Sequence, residues 1–163
     1  MRQEQLNSIG LLIARLAAGI IMFAHGTQKV FGWFGGFGFS GRLGFLQTQL
    51  GVPAPIAFIG VIAEFVACIL LILGASTRLG ALLTTGQMIA AIYLLHGGSG
   101  FFMNYYQQLP AGQEGFEMNL AVIGLSLTLF FAGAGQYALD AKYNLDFVGR
   151  LLGLKKTDAA RAH

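Results

Sequence analysis

Four apolar stretches alternate with short polar ones along the chain. Residues 9–31 (IGLLIARLAAGIIMFAHGTQKVF), 55–74 (PIAFIGVIAEFVACILLILG), 79–96 and 118–135 (MNLAVIGLSLTLFFAGAG) are the apolar ones. Each is close to the roughly 20 residues that carry a helix across a hydrocarbon layer of about 30 Å. The alternating segments of about 10 residues that would make a membrane barrel are absent. Arg15 interrupts the first stretch and no small-x-small cleavage site follows, so it reads as a retained helix. The pattern therefore predicts an all-α fold, a four-helix transmembrane bundle occupying residues 1–140. Residues 32–53 (GWFGGFGFSGRLGFLQTQLGVP) are rich in glycine and aromatics, and read as an interfacial loop after the first helix. Residues 97–117 form a polar loop without Lys or Arg, and 141–163 a basic tail.

Composition moves the same way. Only 10% of the 163 residues are charged, against about 25% in a soluble domain. The single cysteine, Cys68, excludes an internal disulfide and reads as a small packing residue. The net charge of +3 does not form an aromatic-interleaved basic face, so nucleic acid is not an expected partner. Instead the charges set topology. With a cytoplasmic N-terminus, eight cations (Arg2, Arg15, Arg78, Lys142, Arg150, Lys155, Lys156, Arg161) lie inside and two (Lys29, Arg42) outside. The positive-inside rule then places both termini in the cytoplasm. A bacterial or archaeal plasma membrane is the expected location. Lys155, Lys156 and Arg161 would touch anionic head groups. A surface helix over 142–154 would turn Val148, Leu151 and Leu152 to lipid.

Polar residues inside the apolar stretches carry the candidate chemistry. Glu64 sits well within 55–74, and a carboxylate there needs a proton or a partner. Ala57, Gly60, Ala67 and Cys68 beside it are small, which lets a neighbouring helix approach. In the first span, Arg15, Met22, His25 and Lys29 fall along one stripe. His25 lies about 9 Å and Glu64 about 12 Å below the outer surface if both spans are helical. A His25–Glu64 contact with Lys29 one turn above is the expected site, and the expected catalytic group is Glu64, His25 and Lys29. Arg15, farther in, would snorkel or bind helix-end carbonyls. Trp33, Phe34, His96 and Gln87 form the expected ligand-binding group, although a mid-membrane amide is ordinarily an interhelical hydrogen bond. No close-spaced pair such as HxxxH or ExxH is present, so no metal site is expected.

The chain resembles the DoxX family of small four-helix membrane proteins over about residues 11–140. The pieces that carry the resemblance are HGTQKVFGWFGG (25–36), LGVP (50–53), AEFVACILLILGASTRLGA (63–81), HGGSGFF (96–102) and GAGQYALD (133–140). The matching polar positions are His25, Lys29, Glu64, Arg78, His96, Glu117 and Asp140. Arg78 and Asp140 end helices on the cytoplasmic side, and a mutual ion pair is expected there. The resemblance implies kinship with the membrane subunit of an archaeal thiosulfate:quinone oxidoreductase, and with complexes handling oxidative stress and thiols.

The expected function is a quinone-interacting subunit of a membrane oxidoreductase complex. In it Glu64 and His25 exchange protons and Lys29 lowers the cost of the carboxylate. The chain carries no haem, iron–sulfur or nucleotide motif, so other protein subunits would supply electrons. The alternative is a non-catalytic accessory or scaffold subunit whose charged cluster only registers the helices. A solute carrier would call for two inverted halves with broken helices, and no such repeat is visible.

Overall fold

The computed structural model describes residues 2–110 and 113–154, which fold without a strand. Helices α1 (Gln3–Phe31), α2 (Gly38–Thr48), α3 (Ala54–Leu73), α4 (Thr77–Ala91), α5 (Glu117–Ala132), α6 (Leu139–Tyr143) and α7 (Phe147–Leu151) follow in order. A wider, π-type turn carries α4 on to His96. Three of the helical stretches, Gln3–Phe31, Ala54–Leu73 and Thr77–Ser99, are long and apolar enough to cross a membrane, and α5 is a shorter apolar helix. α1 packs on α3, α3 on α4, α4 on α5, and α5 back on α1. α1 finishes and α3 starts at the upper end, whereas α3 finishes and α4 starts at the lower.

Backbone chemistry sets the boundaries. Gly32 closes α1 and Gly74 closes α3, both in the left-handed region that a Cβ disfavours (φ 74° and 66°). Pro53 precedes α3 and Pro55 lies in its first turn, where no intrahelical N–H is needed. The helices meet through small residues. Ala18, Ala57, Ala67, Cys68 and Ala81 are all essentially inaccessible. A Cβ on Gly26 would press on the Phe65 backbone, and one on Gly19 would overlap Ile72. In a lipid environment such close approach supplies the packing contact that burial from water supplies elsewhere.

The segment 32–53 is more ordered than its glycines suggest. It contains α2, which packs on α1 and α3 and buries Leu46 beside Ala57 and Val61. Phe39, Leu43 and Leu46 recur at helical spacing and support that cluster, a signal diluted by the surrounding glycines. Trp33, Phe34 and Phe37 remain exposed.

The lower end corrects two expectations. Arg78 pairs with Asp146, not with Asp140. Its guanidinium also donates to the carbonyls of Phe130 (2.8 Å) and Phe131 (3.4 Å) at the end of α5, where the helix dipole favours a cation. Asp140 instead accepts from the Ser76 and Thr77 amides at 2.5 and 2.8 Å, capping α4 across the chain. Free amides at a helix start attract a carboxylate that has the reach to meet them. Asp140→Ala is therefore expected to cost about 1–2 kcal/mol, read as a lowered midpoint of thermal unfolding in detergent.

The second correction concerns the tail. The single surface helix expected over 142–154 is broken into α6 and α7, and Val148 is buried, not lipid-facing. Asp146 caps α7 through the Gly149 amide (2.9 Å), which draws that helix onto Arg78. Leu151 and Leu152 are exposed, as expected. Lys155, Lys156 and Arg161 lie outside the described residues.

Candidate functional site

Two helices running past one another bring Lys29 and Glu64 together near the upper end. Lys29 stands in the last turn of α1, where a cation meets the negative end of the helix dipole. Glu64 lies in the middle of α3 with its side chain 5% exposed. The Lys29 Nζ is 2.6 Å from both Oε1 and Oε2, so one ammonium serves both oxygens of the carboxylate. The ammonium side keeps 22% of its surface. Access to the pair therefore runs over Lys29.

The expected His25–Glu64 contact does not form. Gly26 and Thr27 are the residues that α1 turns against its neighbours, with Gly26 on Phe65. This rotates His25 to an exposed flank, and it makes no hydrogen bond among the described residues. The inward stripe is Arg15, Met22 and Lys29, spaced by seven. His25 remains close enough for Lys29, Glu64 and His96 to act on its ring through space. It is a neighbour of the pair, with a face open to the outside of the helical body.

The other expected residues divide. The Gln87 Nε2 donates to the Gly60 carbonyl at 2.9 Å, an interhelical bond joining α4 to α3 one turn from Glu64. His96 Nδ1 lies 2.9 Å from the Glu114 carbonyl oxygen. A carbonyl only accepts, so Nδ1 carries a proton in this contact. Trp33 sits on Phe31 (centroids 5.4 Å apart), and Phe31 meets Phe65 edge-on (5.3 Å). An aromatic run thus leads from the exposed rim to the residue beside Glu64. Phe34 stands apart from that run, 72% exposed. Its backbone is left-handed at φ 53°.

Arg42, on α2, was not anticipated at this site. Its Nε is buried without a hydrogen-bond partner among the described residues, its guanidinium lies 5.3 Å over the Phe45 ring, and Glu64 acts on it through space. The available signal was that Arg42 is the only charge in residues 32–53. Arg15 is also buried (2% exposed) and donates from Nη2 to the Tyr137 carbonyl at 2.8 Å, which makes it a carbonyl-binding cation, not a snorkelling one. Among the described residues no three His, Cys, Asp or Glu side chains gather as metal ligands would.

Apolar helices of spanning length, packed through small residues around a buried ion pair, define a multi-pass helical membrane protein. The DoxX family matches residues 10–97, and the chain belongs to that family. It is 31% identical to the inner membrane protein YphA of Escherichia coli (strain K12), over 81% of this chain and 89% of the relative. Its identity to the inner membrane protein YqjF of the same organism is 26%, over 86% and 97%. It is also 32% identical, over 81% and 85%, to a Bacillus subtilis (strain 168) protein provisionally named oxidoreductase CatD. No solved structure matches the chain significantly. Like these Escherichia coli relatives, the chain is a multi-pass protein of the plasma (inner) membrane, in contact with its lipids.

Proposed function

We propose that this protein is the quinone-interacting subunit of a membrane oxidoreductase complex, and that the Lys29–Glu64 pair is where protons are exchanged. In this reading α5 also crosses the bilayer, giving a four-helix bundle with both termini in the cytoplasm. The observation that carries the proposal is a buried carboxylate held by a partly exposed ammonium, with an aromatic run from Trp33 through Phe31 ending at Phe65, the residue next to Glu64 in the chain. Ionisable groups held inside a membrane are functional by default. The oxidoreductase name given to the Bacillus subtilis relative points the same way.

A quinone ring is flat, apolar and lipid-soluble, and fits against the aromatic run. Lys29 would donate a hydrogen bond to a ring carbonyl, and His25, exposed on the same helix, would pass protons between the site and the surface. Reduction of a quinone takes two electrons and two protons. Glu64, His25 and Lys29 handle only the protons, and the electrons come from a partner subunit. The second reading, a structural pair in an accessory subunit, draws on both carboxylate oxygens already being satisfied by one ammonium.

Trp33 is the single tryptophan of the chain and lies at the rim, so it reports on a bound ring directly. A short-chain ubiquinone analogue titrated into the purified protein in nanodiscs should quench its fluorescence saturably. Glu64→Gln keeps an oxygen for Lys29, so it should stay folded, with a melting midpoint lowered less than by Lys29→Met, while weakening saturable quenching at least tenfold. His25→Asn, at an exposed position, should weaken it by a smaller factor. Undiminished saturable quenching in both variants would overturn the proton-exchange role of the pair, and no saturable quenching of the unaltered protein would leave the accessory reading.

A further inference from the structure

The segment joining α4 to α5 builds a half-open cavity at the upper end, of about 720 Å³. Its walls run from Ser99 to Leu109 and share no residue with the Lys29–Glu64 site. Four of the lining side chains are aromatic: Phe101, Phe102, Tyr105 and Tyr106. Phe101 meets Phe102 and Phe116 nearly at right angles, at 5.1 and 5.4 Å, so the rings present faces in different directions.

Two carboxylates hold this cavity in shape. Glu114 Oε2 accepts from the Asn104 amide at 2.6 Å, and Glu117 Oε1 accepts from the Met103 amide at 3.1 Å. Glu117 also acts on the Tyr105 hydroxyl and pushes the phenol above its ordinary pKa. The Asn104 side chain closes the far wall on both the amide and the carbonyl of Leu109. Underneath, the Gly100 and Phe101 carbonyls accept from the amides of Phe116 and Glu117. Gly115 passes so close to Phe101 and Phe102 that a Cβ would strike their carbonyls.

Charge selects the occupant. From residue 79 to residue 141 the chain contains no Lys and no Arg, so nothing local offsets Glu114 and Glu117. An anion would be repelled by the two carboxylates that brace the wall from behind. A neutral ring would gain contact area but nothing from the field. A soft organic cation gains from both, because ring faces are negative and a quaternary ammonium is cheap to desolvate. The volume lies in the range of small-ligand sites.

We propose that this aromatic cavity binds an alkylammonium group, carried either by a free quaternary amine or by the head group of a zwitterionic lipid. The test uses the full chain in nanodiscs of phosphatidylglycerol, which has no ammonium head group, with choline as the probe followed by saturation-transfer NMR. Choline should bind saturably, and its uncharged isostere 3,3-dimethyl-1-butanol at least tenfold more weakly. Tyr106→Leu, at a highly exposed position, and Glu117→Gln should each weaken choline at least fivefold. In phosphatidylcholine discs an at least fivefold loss of choline affinity identifies the lipid head group as the occupant, and an unchanged value identifies the free amine. Failure of choline to saturate in phosphatidylglycerol, equal binding of the isostere, or indifference to Tyr106→Leu would each overturn the assignment. The melting profile of every variant shows whether it is folded.

Discussion

Lys29→Met is expected to destabilise the protein by about 3–5 kcal/mol, because it leaves a buried carboxylate without its cation. Glu64 is 5% exposed and both of its oxygens rest on the Lys29 ammonium. No other hydrogen bond to the carboxylate is present among the described residues. The double replacement Lys29→Met with Glu64→Leu removes both charges and should recover most of the stability, since an apolar pair of similar volume needs no desolvation. Unfolding of both variants in mixed micelles checks this. A loss below about 1 kcal/mol for the single variant, the size of an exposed pair, would show that lipid or water already solvates Glu64.

Gly74→Ala is the second large expected effect, at about 3 kcal/mol or more when left-handed strain and a steric clash combine. Gly74 closes α3 at φ 66°, and a Cβ there would fall on the Arg15 guanidinium and within 2.6 Å of the Ala138 Cβ. Arg15 is the largest fully buried side chain, and it ties α1 to the segment after α5 through the Tyr137 carbonyl. The Gly74 carbonyl accepts from the Asp140 amide, and Asp140 caps α4, so one methyl group would disturb three connections at once. The visible result should be an early loss of protection in residues 133–146 by hydrogen exchange, with a lowered unfolding midpoint. Gly10→Ala is the matched control, because a Cβ there meets open space. Equal behaviour of the two variants would refute the clash.

The candidate site was partly readable. The need of Glu64 for company follows from its place in an apolar run, and depth counting brought both His25 and Lys29 to its level. Depth does not determine rotation. Which of the two meets the acid depends on how α1 is turned about its axis, and Gly26 against Phe65 sets that turn. Arg42 was read only as an outside cation because α2 was hidden among glycines. The Arg78 partner was misjudged for a different reason. Asp140 and Asp146 lie six residues apart in a polar tail, and only the positions of the α4 amides and the end of α5 separate their tasks.

What the sequence by itself determined is the set of apolar helices, three of them of spanning length, their order, and the presence of one acid that cannot stand alone. These are local properties: runs of apolar side chains, glycine and proline at the ends, and the cost of a bare charge in hydrocarbon. The tertiary structure decided which cation answers that acid, which aspartate answers Arg78, and that the segment from Ser99 to Leu109 folds around a cavity. Each of those is a choice among residues equally able in chemistry and sequence position. Only the rotation and close approach of neighbouring helices distinguish them.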